Sequence, residues 1–474
     1  MTPHPGIHPR RAAPTHSRPA IVAIAVLIAA GGVFASPATA SGPAFAGDPA
    51  AAVPARIASP LSSICAMNPG SPWRPKEFGL LYAKGLFHVF YMRHNYYVGD
   101  PDSTELDFGH AVSTDLVSWT QLPPVLPARP GYWDSHHVWS PQVIEQNGVY
   151  YLFYTGVQDV PFVWGWMQRL GVATSTDLMN WTRYDHPVFT GNMASWVYAD
   201  SSQFDGCQFR DGFLMPDPTQ PGKWLMYYVA VPKVARGQLI VGIARSGSSL
   251  LEWHDVGPMW CTDNAHFWGW CESPMLMQHA GLWYLFANTV SGHPTSFRTA
   301  PSPLADSTQW SGKYRLFDMA GQDTTSDQWF GTEYLSLGGH DLLGYVNNHT
   351  LALEFQEIVW GNPPNFTLQR PNLLAVGDGA PPAHVRLSLL GRASLGAGAV
   401  LRLALPAAAK VRLDVLDVTG RRVCVLDAGE RAAGESLLEW DGRDRAGAPV
   451  ARGIYFARVA TAAGSAVARI AVTD

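Results

Sequence analysis

"GHAVSTDLVSW", residues 109–119, returns almost unchanged as "GVATSTDLMNW", residues 171–181. In both copies a short strand runs into a Ser-Thr-Asp turn and closes on a tryptophan. Ser, Thr and Asp suit such a turn because their side chains bond the local backbone. A looser copy, "VGIARSGSSLLEW" (241–253), follows, and two weaker ones end at Trp310 and Trp360. The five tryptophans, Trp119, Trp181, Trp253, Trp310 and Trp360, fall about 50 to 72 residues apart. A unit of that length holds four short strands, and radial stacking of such units makes a propeller. The competing reading is a β-sandwich with accidental likeness, and two nearly superposable "STDLxxW" turns weigh against it.

Each unit also carries an aromatic-rich strand: "GLFHVFYM" (85–92), "GVYYLFYTG" (148–156), "GKWLMYYVA" (222–230), "GLWYLFANT" (281–289) and the weaker "HDLLGYVNN" (340–348). An opening strand stands just upstream of each, at 76–83, 140–146, 209–215, 271–277 and 331–337. The first strand of a propeller blade lines the central axis. The polar residues that begin these strands, Lys76 or Glu77, Gln142, Asp211, Glu272 and Glu333, are therefore expected to converge on one pocket.

Composition agrees with an all-β chain. Of 474 residues, 12% are aromatic, 18 of them Trp, and only 15% are charged, a mix suited to strands and to a carbohydrate-type surface. A formal net charge of −5 leaves no basic footprint, so nucleic acid is excluded as an expected partner. Arg10, Arg11 and Arg18 precede the apolar run "IVAIAVLIAAGGVFA" (21–35), and "ATA" (38–40) supplies small residues for cleavage. This reads as a signal peptide over 1–40 and predicts a secreted or cell-surface protein. A membrane anchor is the alternative; the run is short, and no second apolar span follows, so the mature protein is expected to have no membrane span. Five cysteines are an odd count, and Cys261 with Cys271 is close enough in sequence for a bridge in an oxidising compartment. Their spacing matches no zinc pattern, so no metal site and no cofactor is expected.

After residue 372 the composition shifts. "VGDGAPPAHV" (376–385) reads as a linker, and "KVRLDVLDVTGRRVCVL" (410–426) has period-2 stretches around a Thr-Gly turn. The predicted organisation is a linker over 41–60, a five-bladed β-propeller over 61–372, a linker over 373–384 and a small immunoglobulin-like β-sandwich over 385–474. The stretch "DVTGRRV…WDGRDRAGAPVARGIYFARV" resembles the immunoglobulin-like domains of the flagellar hook-cap type and the C-terminal sorting modules of secreted bacterial enzymes. That resemblance implies attachment to a cell surface or to sorting machinery.

Two carboxylates stand out for chemistry. Glycoside cleavage needs a protonated acid at the leaving oxygen and a second carboxylate as nucleophile or base. Glu272, preceded by Trp268 and Trp270, has the surroundings of an acid whose pKa is raised by burial among aromatics. Asp211 follows Arg210, which is expected to keep it ionised and in place. The plainer alternatives are a structural pair for Asp211 with Arg210 and a core network for Glu272. Trp73, Trp133, Trp139 and Trp270 are candidate stacking platforms for sugar rings, against the core-filling role that tryptophan often has in propellers. The pair His136 and His137, in a loop beside Trp133 and Asp134, and Asp134 itself are candidates for sugar contact, whereas His110 is expected to hydrogen-bond within its own blade.

Over roughly 70–365 the chain resembles the five-bladed propeller glycosidases of families 32 and 43. The segments "GLLYAKGLFHVFYM", "FGHAVSTDLVSWTQLP", "FRDG" and "WCESP" are similar to family 32, and "VWSPQVIEQNGVYYLFYTG" looks more like family 43. The resemblance implies a hydrolase acting on a fructan, arabinan or xylan type glycan. It gives Asp211 the stabilising place of the family's Arg-Asp-Pro motif and Glu272 that of its general acid, although here Cys271 precedes the Glu. The chain also departs from the family. In "WRPKEFG" (73–79) Lys76 holds the nucleophile's position, Gln142 replaces an expected aspartate, and Gly212 replaces the proline after Asp211. An ammonium cannot form the glycosyl ester, which leaves three readings. Glu77 could reach the axis by a one-residue slip; Asp134, Asp107 or Glu333 could supply the base; or Lys76 marks a propeller that binds sugar without cleaving it.

Overall fold

The computed structural model describes residues 65–95, 104–160, 165–203, 205–259, 271–289, 293–311, 314–315, 329–347, 350–371, 383–394 and 398–473. The first 64 residues, with the expected signal peptide, lie outside these. So do Cys261, Trp268 and Trp270, while Cys271 is a buried free thiol.

Four sheets of four antiparallel strands follow one another along the chain, and each is ordered from its first strand to its last. A fifth sheet closes the ring. Its inner three strands are Trp329–Leu337, His340–Asn347 and Ala352–Trp360, and its outer edge is assembled from both ends of the domain. Phe366–Gln369 pairs with one half of Ala352–Trp360, and the N-terminal strand Cys65–Met67 pairs with the other, Cys65 opposite Phe355 and Met67 opposite Leu353. The five-bladed propeller predicted from the tryptophan repeat is the observed fold. The repeated turns form as their side chains suggest: Asp115 and Asp177 each accept from backbone N–H groups two and three residues on. Trp119 and Trp181 cap the turns by donating to the carbonyls of Leu116 and Leu178.

The inner strands are Trp73–Ala83, His137–Gln146, Phe209–Pro216, Cys271–His279 and Trp329–Leu337. All five carry a β-bulge at the same place. Register breaks between Pro75 and Phe78, Trp139 and Gln142, Arg210 and Phe213, Glu272 and Met275, and Phe330 and Glu333. In each, two residues oppose one on the neighbouring strand. In blades 2 to 5 the first bulge residue, Ser140, Asp211, Ser273 or Gly331, takes a left-handed backbone with φ of 48°, 60°, 50° and 59°. Such conformations cost non-glycine residues energy and cluster where function re-aims a side chain.

The C-terminal part is the expected sandwich. Its seven strands form one folded-over sheet. Arg386–Ser394 is the strand that changes sides: its first half pairs antiparallel with Gly398–Leu405, and Ala393 and Ser394 then pair parallel with Val472 and Thr473. Between the layers lie Leu401, Leu403, Val411, Leu413, Val415, Trp440, Val459 and Ile470, all buried.

Candidate active site

The bulges explain how one end of the propeller collects polar groups. A regular strand sends successive side chains to opposite faces. The bulge at Lys76 and Glu77 suspends that alternation, so Glu77 reaches the axis while Lys76 turns toward Glu105. Glu77, Asp211 and Glu333 line a narrow axial cavity of about 30 Å³ together with Ser140, Ser273 and Gly331, room for a water or two.

A continuous hydrogen-bonded chain runs across this axis. The Ser140 hydroxyl contacts Glu77 Oε2 and lies 2.6 Å from Asp211 Oδ1. The Ser273 hydroxyl donates to Glu77 Oε1, and the Ser273 N–H donates to Asp211 Oδ2 at 3.1 Å. One serine hydroxyl has one proton and cannot donate to two carboxylates. One of the two acids therefore carries a proton, and Glu77 is the better holder. Burial and then the neighbouring Asp211 charge push Glu77 up to about 8, against the pull of both serines and Lys76. Burial also raises Asp211, with Arg210 offsetting it in part, and burial with the Glu77 charge raises Glu333.

Arg210 ties the axis to the mouth. It is 6% exposed; its Nη2 is paired with Glu272 and its Nε lies 3.5 Å from Asp211 Oδ2. Its Nη1 donates to Gln168 Oε1 at 3.2 Å and to Gln208 Oε1. The expectation that Arg210 keeps Asp211 ionised meets a different geometry, since the guanidinium spends its short contacts on Glu272 and the two glutamines. The Glu272 side chain is 33% exposed and charge-paired with Arg210; Trp268 and Trp270, the aromatics expected around it, lie outside the described residues.

Lys76 sits opposite. Its side chain is 42% exposed, its Nζ lies 3.2 Å from Glu105 Oε1 and 6.0 Å from the centre of the Trp139 ring. Glu105 also receives His94 Nδ1 at 2.8 Å. Burial alone would raise Glu105, but Lys76 and His94 outweigh it and bring it to about 2. The Lys76 charge is likewise favoured despite burial, by Glu105 and Glu77.

Other expected sugar contacts have structural duties. Trp133 stacks on Tyr154 with ring centres 5.6 Å apart and covers Gly156 and Gly171, where any Cβ would collide with its indole. Asp134 is fully buried, accepting from Tyr154 Oη at 2.8 Å and Arg129 Nε at 3.0 Å. The amide of Gln142 is taken up by the backbone N–H and carbonyl of Leu214, stitching blades 2 and 3 together. Asp107 accepts from Arg93 Nε and Nη2, each at 2.5 Å, and Arg93 lies over the Trp73 ring, 4.3 Å from its centre. His110 meets His88 within blade 1 at 3.0 Å, as expected. His137 is buried, its Nδ1 3.0 Å from the Thr104 carbonyl, in a cluster with Trp139 and Trp166.

Sequence reading missed Ser140, Ser273 and Glu105. The two serines had a signal: "WSPQ" and "ESPM" place Ser-Pro at the same point of two inner strands. Glu105 lies outside any repeated strand and had none. Among the described residues no group of three His, Cys, Asp or Glu side chains is arranged to hold a metal ion.

This arrangement defines a class, a five-bladed propeller with acidic residues gathered on its axis and at one mouth. Residues 67–286 match the glycosyl hydrolases family 32 N-terminal domain, and residues 392–465 match the FlgD Ig-like domain. The two matches fall where the sequence resemblance implied a family 32 likeness and a hook-cap type immunoglobulin-like module. A fructan 6-exohydrolase of Beta vulgaris is 26% identical over 208 residues, 41% of this chain and 31% of that protein. An acid beta-fructofuranosidase of Capsicum annuum is 30% identical over 164 residues, 34% of this chain and 23% of that one. The chain spans about a third or less of the length of these relatives. A GH32 beta-fructofuranosidase structure from Bombyx mori aligns at 15% identity with a TM-score of 0.47, over 85% of this chain and 89% of that one.

Proposed function

We propose that the propeller hydrolyses O-glycosidic bonds of a fructan-type glycan, with Glu272 as general acid and Asp211 stabilising the positive charge that develops on the sugar. The observation that carries this reading is the pairing of buried Arg210 with both carboxylates, which holds them side by side where the funnel opens. The one-third exposure of Glu272 leaves it within reach of a leaving oxygen, as an acid must be. Glu77, linked to Asp211 through Ser140, is the third member and acts as the nucleophile or base in its ionised form, after giving up the proton that it holds at rest. The family 32 match supports fructosides as substrates, with arabinans and xylans next. Export by residues 1–40 and surface attachment or sorting through the C-terminal domain belong to the same reading.

Lys76 favours a second reading, a propeller that binds the sugar without cleaving it. The Lys76–Glu105 pair supports it, a neutralised cation at the position to which the sequence resemblance assigns the family 32 nucleophile. The test is hydrolysis of fructans, arabinans, xylans and aryl glycosides by the protein and its Glu272→Gln variant. Turnover that falls by roughly 10²–10⁴-fold in the variant supports the enzyme. A folded protein with no turnover, and with sugar binding equal in both forms, supports the binder.

A further inference from the structure

One face of the C-terminal sandwich differs in charge from the rest of the molecule. It belongs to the layer ordered Arg422–Arg431, Ala409–Asp417, Gly453–Thr461, Gly464–Thr473. Val411, Leu413 and Val415 point into the core, so the alternate residues Lys410, Arg412, Asp414 and Leu416 point out. Register sets Arg412 opposite Ala460, Asp414 opposite Arg458, and Leu416 opposite Phe456, which in turn faces Arg469. Arg412, Arg458 and Arg469 thereby step across three adjacent strands in one straight diagonal, about 7–8 Å per step. Arg422 flanks them on the fourth strand, opposite Leu416.

These side chains are open to solvent: Arg412 is 49%, Arg422 54% and Arg458 52% exposed, and Arg469 is exposed too. The nearly buried Asp414 lies beneath them, 3.2 Å from Arg412 Nε, 3.8 Å from Arg422 Nη1 and 3.9 Å from Arg458 Nη2. One carboxylate cannot neutralise three guanidiniums. With Lys410 and the facing Glu430, the face sets five cations against two carboxylates, on a chain of formal net charge −5. The opposite layer meets the propeller, where Leu390, Val400 and Leu437 pack on Leu86, Val112 and Leu122. The arginine face therefore points away from the propeller.

We propose that this face binds an acidic polysaccharide, a linear glycan bearing carboxylates or phosphates, laid along the Arg412–Arg458–Arg469 diagonal. Guanidinium forks match such groups with paired hydrogen bonds. The negative charge elsewhere on the chain repels a polyanion and so selects this face. Ala428, Ala460 and Val467 between the arginines keep the surface low enough for an extended polymer. A lipid surface fits less well, because among the described residues the large hydrophobics exposed on this face are Val425 and Val467, and the aromatic there, Phe456, is only partly exposed and offers little to a headgroup layer.

The test uses the full chain with polygalacturonate as probe, neutral dextran as control and phosphatidylglycerol vesicles as the competing surface. The expected result is binding of polygalacturonate alone, weakened at least about tenfold by the triple change R412S/R458S/R469S and also weakened by added salt. Arg469→Ser alone leaves the Asp414 pairs in place and is expected to weaken binding should the triple variant not fold. Glu272→Gln is expected to bind as the parent does, which separates this site from the chemistry of the funnel. No binding at low salt, binding unchanged in the arginine variants, or tighter binding to the vesicles would overturn the proposal.

Discussion

Glu77 shows how one side chain is governed by its neighbours. It lies between two serine hydroxyls and next to Asp211, and burial holds its proton up to a pH of about 8. An unfolded chain releases that proton near the ordinary glutamate value. Between these limits the folded state binds more protons than the unfolded state, so this group makes stability fall as pH rises. Asp211, also raised, acts in the same direction. Glu77→Gln keeps the shape and removes the titration. The melting temperature of the parent is expected to drop between pH 5 and pH 8.5 by roughly 5 °C more than that of the variant, read by calorimetry at constant ionic strength. Parallel pH profiles for the two proteins would mean that Glu77 ionises freely and that the proton chain across the axis does not exist.

Among elements, the bulged inner strands and the closing strand were legible to different degrees. The opening strands were readable because polar residues start an otherwise apolar run, and all five formed within a few residues of expectation. The bulges were not readable: a register break depends on pairing with the next strand, which a single strand's sequence does not encode. That is why Glu77 on the axis was one alternative among several, and why Gln142, which lines the axial pocket as expected, gave no sign that its amide is consumed by Leu214. Asp134 and Trp133 were misplaced for a related reason, since a polar-aromatic cluster reads the same in a loop whether it faces sugar or Tyr154. Ring closure by Cys65–Met67 also escaped notice, because its partner lies nearly three hundred residues away. Met67 is fully buried and receives the Gln121 amide at its sulfur at 3.4 Å. Met67→Ala is expected to cost about 2–5 kcal/mol of unfolding free energy, measured by urea denaturation. A cost near zero would mean that the fifth blade holds without its N-terminal strand.

On the scale of the whole molecule, two bodies with separate cores meet at an apolar patch. The propeller contributes Leu86, Val112, Leu122 and Met179, and the sandwich contributes Leu390, Val400 and Leu437. A cross-domain hydrogen bond from Arg402 Nη1 to the Lys84 carbonyl supplements them. Both domains were visible in the sequence from their separate strand patterns, whereas their contact was not, because an apolar residue on an outward sheet face reads like any exposed one. Contacts between domains of one chain often resemble transient interfaces. The sandwich buries Trp440 and nineteen core residues in all without help from the propeller, so it has the means to fold alone. Val400→Glu places a charge in the contact while sparing both cores. Calorimetry is expected to show two transitions, with the propeller's unmoved and the sandwich's lowered by a few degrees, about 1–3 kcal/mol of lost contact. A single transition that shifts as a unit would mean that the two cores unfold together and that the contact couples the glycan-handling propeller to the arginine face.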